Sequence, residues 1–102
     1  MWRQGDVLIE QVTEVPATAV RLKQLVLAAG DSTGQRHMIK DRKTAELFAA
    51  AAPSDDTLFL RVTADEATIA HPEHGHVALP RGQYRVWKQR EFTDAKPRPV
   101  YD

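Results

Sequence analysis

Apolar residues in this chain recur mainly with a period of two, in short runs cut about every eight to twelve residues by Gly, Pro, Asp or Ser. This rhythm constrains the fold more than any other feature. Residues two apart share one face of a strand, whereas a helix that buries one side needs apolar residues three and four apart. Val7-Leu8-Ile9-Glu10-Gln11-Val12, entered through the turn pair Gly5-Asp6, predicts a first strand over residues 6–12. A second is expected within Leu22–Ala29. The loop Gly30-Asp31-Ser32-Thr33-Gly34 then leads into Arg36–Lys40, where His37 and Ile39 fall on one face, so this pair reads as a hairpin.

The alternation lapses once. Thr44-Ala45-Glu46-Leu47-Phe48 and the alanines after it favour a helix by composition, with Asp41 or Thr44 as N-cap and Pro53 as terminator, so one short helix is expected over Thr44–Ala52. From Thr57 to Thr63 the period returns to two. Asp65-Glu66 then reads as a turn into Ala67–Ala70, and Pro80-Arg81-Gly82 as a tight turn between Val77–Leu79 and Gln83–Phe92. The predicted class is mainly β, a small antiparallel β-barrel or two-sheet sandwich of about seven strands with one short helix. Val7, Ile9, Leu25, Leu27, Leu58, Leu60, Val62, Leu79 and Val86 form its expected core. Residues 1–102 read as a single domain, with 95–102 an extended tail because Pro97 and Pro99 cannot lie inside a sheet.

Charge and cysteine content limit the chemistry. Fourteen Lys and Arg balance fourteen Asp and Glu, so there is no global basic field to draw in nucleic acid or anionic membrane. With no cysteine, a thiolate nucleophile, an iron–sulfur cluster and a zinc ribbon are excluded, and any metal must be held by His, Asp or Glu. The chain starts without a basic-then-apolar signal and has no apolar run near ~18 residues, which predicts a cytoplasmic protein with no membrane partner.

All four histidines lie at turns: His37 after the Gly30–Gly34 loop, and His71, His74 and His76 within Ala70-His71-Pro72-Glu73-His74-Gly75-His76. Antiparallel neighbours bring alternate turns to one rim, so the two loops are expected to converge. His37, His71, His74 and His76 are then candidate ligands of a divalent transition metal, Zn, Fe, Mn or Ni. In an enzymatic version, a metal-assisted hydrolase or lyase, Glu73 would accept a proton and Arg36 would steady an anionic intermediate. The plainer alternative is a set of solvated or structural histidines. Asp31, Ser32 and Thr33, between two glycines, could cradle an anion, though an ordinary hairpin has the same composition.

Arg85, Trp87, Lys88 and Arg90 interleave aromatic and basic side chains on the last strand, the raw material of a nucleic-acid or protein contact. The plainer alternative is a structural strand in which Tyr84 and Val86 pack inward. Nucleic acid is the less favoured partner. A small ligand or a protein partner is preferred, and an exposed edge strand leaves self-association into a homo-oligomer as a third option.

Three stretches carry a resemblance: Arg3-Gln4-Gly5-Asp6-Val7-Leu8-Ile9; Gly30-Asp31-Ser32-Thr33-Gly34-Gln35-Arg36-His37; and His71-Pro72-Glu73-His74, continued by Leu79–Val86 and Gln89-Arg90-Glu91-Phe92. They resemble a group of small uncharacterised β domains of bacteria and phages. The middle loop of that group more often reads Gly-Glu-x-Thr-Gly-His-x-His, so this chain departs at Asp31 and at Gln35. If the group binds metal through that loop, the resemblance implies one ligand fewer here. A more distant similarity is to cupin-like barrels, although Pro80-Arg81-Gly82 lacks the histidine expected after it.

Overall fold

The computed structural model of the chain describes residues 1–29, 36–52 and 55–88. Eight strands form one antiparallel sheet: β1 (Trp2–Gln4), β2 (Val7–Val12), β3 (Val20–Leu22), β4 (Val26–Ala29), β5 (Arg36–Ile39), β6 (Ala45–Ala49), β7 (Leu58–Ala70) and β8 (Val77–Lys88). The main path runs β1-β2-β8-β7-β5-β4, and β6 adds to β7 with β3 on its far side. The mainly antiparallel β class is therefore as expected from the period of two. Among the described residues the sheet does not close into a barrel and there is no helix, so none is long and apolar enough to cross a membrane.

The hairpin β7–β8 is the frame. One side of β7 pairs with β8; its other side takes β6 along Leu58–Val62 and β5 at Ile69–Ala70. Between these halves the register jumps: Val62 faces Gly82 and Glu66 faces Pro80, so β7 carries extra residues opposite Arg81. The turns expected at Asp65-Glu66 and at Pro80-Arg81-Gly82 are instead the two sides of this one irregularity inside continuous strands. Gly82 has φ +154°, and a Cβ there would come within 2.9 Å of the Gln11 amide nitrogen. The amides freed on β7 are not orphaned: Thr63 and Ala64 N–H both donate to the Thr44 carbonyl. Bulges of this sort bend and twist a sheet, here between the halves that take β6 and β5.

The predicted helix over Thr44–Ala52 is corrected to strand β6. Ala45 and Leu47 point inward, 3% and 0% exposed, while Glu46 and Phe48 point out beneath Arg61. A helix this short is marginal by itself, and two neighbouring strands, β3 and β7, offer its backbone ladders on both sides. Tertiary pairing thus overrides composition. The second strand is also shorter than expected, with Val20–Leu22 split off as β3.

Alternate residues of β2, β4, β5, β6, β7 and β8 supply a single core. Seven of the nine expected core residues are fully buried, and Leu25 and Leu58 pack half-buried at its border. Tyr84 is completely buried, its ring edge-on to Trp2 and its hydroxyl donating to the Pro80 carbonyl. The expected tail, 95–102, lies outside the described residues.

Candidate functional site

Gln4, at the end of edge strand β1, is 1% exposed, and a buried carboxamide must find partners for both its donors and its acceptor. Its Nε2 donates to the carbonyls of Ile69 (2.9 Å) on β7 and Gly75 (2.6 Å) in the β7–β8 loop. With its nitrogen so committed, Oε1 faces Nδ1 of His37 on β5 at 2.8 Å. The curl of the sheet thus brings β1 against β5, although three strands separate them in the pairing order.

This pairing decides the chemistry of His37. An amide oxygen only accepts, so Nδ1 carries the proton and the neutral ring keeps a lone pair on Nε2. Burial first, and then the neighbouring His71, pulls its pKa down from 6.5 to about 4, against a smaller upward pull from Asp6. His37 is therefore neutral at pH 7. Its Nε2 looks toward Asp6 Oδ1 at 3.7 Å, while Asp6 Oδ2 lies 3.5 Å from the Lys88 ammonium.

His71 and His74 complete the wall. The His71 ring centroid is 4.2 Å from that of His37 and 4.4 Å from that of His74; His37 and His74 lie 6.0 Å apart and nearly parallel. His71 Nδ1 accepts the backbone N–H groups of Glu73 and His74 at 3.0 and 3.1 Å, which folds the loop around the ring. In the neutral ring its proton then sits on Nε2, leaving no free lone pair. The exposed His74 ring lies over Gly5, where a Cβ would sit 2.6 Å from its Cδ2. Gly5 also has φ +61° in its two-residue connection between β1 and β2. Glycine is thus required twice over, by the turn and by the ring above it.

The rings of His37 on β5 and of His71 and His74 in the β7–β8 connection lie side by side. Among the described residues the exposed His76 makes no ring contact, hydrogen bond or ion pair with them, and the Glu73 carboxylate and Arg36 guanidinium make no hydrogen bond or ion pair to the three rings. Among the described residues no group of three or more His, Asp or Glu side chains is placed to hold a metal ion. Asp31, Ser32 and Thr33 lie outside the described residues, as does Arg90. The other members of the basic strand are engaged: Arg85 stacks on Trp87 at 4.3 Å and pairs with Glu10 at 2.8 Å, and Lys88 turns to Asp6. Sequence reasoning missed Gln4 and Asp6, since neither a turn aspartate nor a lone glutamine signals a partner more than thirty residues away.

The profile of a family described as a domain of unknown function (DUF8820) matches residues 3–89. The chain belongs to the DUF8820 family. That span runs from β1 to the end of β8 and takes in Gln4, Asp6, His37, His71, His74 and Lys88, so the site lies wholly within the DUF8820 domain. No curated protein and no solved structure matches the chain.

Proposed function

We propose that this domain binds a small, neutral, hydrogen-bond-donating ligand between His37 and Asp6. The observation that carries the reading is that two acceptors face one another at 3.7 Å: His37 Nε2, its lone pair fixed by Gln4, and Asp6 Oδ1. Facing acceptors repel unless donors lie between them, and a ligand with two donor hydrogens, on one NH2 group or on two neighbouring hydroxyls, satisfies both. Lys88 already balances the carboxylate, so the site has little charge left for a cation, and Asp6 repels an anion. A diol or a primary amide therefore suits it better than a divalent metal or a phosphate. His71 spends its Nδ1 lone pair on its own turn, so the three rings do not offer three free lone pairs to a metal. Binding is also favoured over catalysis: a base with a pKa of about 4 is a weak proton acceptor near neutral pH.

The test is an NMR titration that follows the imidazole resonances of His37, His71 and His74 while neutral polyols, primary amides and ureas are added, with zinc chloride as a separate arm. The reading expects a saturable response at His37 to at least one neutral compound, lost in Asp6→Ala. Silence from every neutral compound contradicts it, as does tight zinc binding that moves all three histidines.

A further inference from the structure

A second feature stands apart from the histidine seam. Arg21 and Leu22 on β3, Lys23 and Leu25 in the connection to β4, Arg42 in the connection between β5 and β6, and Ala45 on β6 line a cleft of about 340 Å³. Its size is that of a small-ligand site. Leu22 and Leu25 are half-buried and Ala45 is buried, so the floor is aliphatic, while Arg21, Lys23 and Arg42 are exposed around it.

The charges there are not balanced. Glu46 is shared, one oxygen 3.3 Å from Arg21 and the other 3.1 Å from Arg61, so one carboxylate answers two guanidinium groups. The Asp41 carboxylate, next to Arg42 in the chain, accepts the Lys43 amide instead. Lys23 and Arg42 have no carboxylate partner among the described residues, in a chain whose formal charges sum to zero. Two such cations beside an aliphatic floor, with no aromatic ring among the described lining residues, select the ligand's two halves separately.

We propose that this cleft binds an amphiphilic organic anion, its carboxylate or phosphate on Lys23 and Arg42 and its alkyl body on Leu22, Leu25 and Ala45. Arg21, held by Glu46, forms the fixed wall, and Lys23 and Arg42 close on the headgroup.

Octanoate and octyl phosphate are the probes, added to the full chain while amide resonances are followed, with acetate and 1-octanol as controls lacking one half each. The proposal expects saturable binding of at least one of the two anions, with shifts centred on Leu22, Leu25 and Ala45. The tighter of the two identifies the headgroup. Each of Lys23→Gln and Arg42→Gln, at exposed positions, should weaken binding about tenfold while amide resonances outside the cleft stay in place. Acetate and 1-octanol should bind far more weakly than either anion. Failure of both anions to bind overturns the proposal. So does binding that the double variant leaves unchanged, or 1-octanol binding as well as octanoate.

Discussion

His37 is held neutral because burial and the neighbouring His71 outweigh the attraction of Asp6. Its pKa is about 4 in the folded chain, against 6.5 as the ordinary value, so between these limits the unfolded chain binds more protons than the native one. Stability from this group is fully present above pH 6.5, is lost as the pH falls through the window, and changes no further below about 4. The loss is on the order of 1–3 kcal/mol. Urea unfolding from pH 7 to 4 should show it, and His37→Gln, which cannot take up the proton, should show a correspondingly shallower pH dependence. Equal slopes in the two proteins would contradict this account of His37. Part of the site was legible from sequence at this scale, because the alternation places His37 on the buried face with Ile39. Gln4 was not, since its burial depends on carbonyls 65 and 71 residues away.

Strand β6 shows what composition can and cannot decide. Alanine, glutamate and leucine favour a helix by fractions of a kcal/mol per residue, and over five residues that is smaller than pairing with two neighbouring strands. The alternation of Ala45 and Leu47 against Glu46 and Phe48 was present in the sequence, but the run of alanines after Phe48 concealed it. If β6 is a strand with Leu47 in the core, Leu47→Ala should cost about 2–5 kcal/mol in chemical denaturation, through lost transfer energy and a residual cavity. A cost below about 0.5 kcal/mol would place Leu47 on the surface and overturn the register. The irregularity in β7–β8 was legible only as punctuation. Asp65-Glu66 and Pro80-Arg81-Gly82 are both turn signals, and nothing local shows that they face each other across one hairpin and bend it.

The described residues form a curled sheet that hydrogen bonding between their strands leaves open, joined across the gap by side chains. Gln4 fastens β1 to β5, β7 and the β7–β8 loop, and in doing so fixes which nitrogen of His37 carries the proton. Architecture and candidate chemistry thus rest on the same contact. The alternation announced an antiparallel β domain with a shared core, but how the sheet's ends meet depends on a bulge and on one buried amide, neither of which has a sequence signature. The most direct test is a long-range proton–nitrogen correlation spectrum of the imidazoles at pH 7 and again near pH 5.5. The account predicts that His37 is neutral at both pH values, with a protonated Nδ1 and a bare Nε2, and that Gln4→Leu abolishes this fixed form. A His37 that carries its proton on Nε2, or is already charged near pH 5.5, would contradict it.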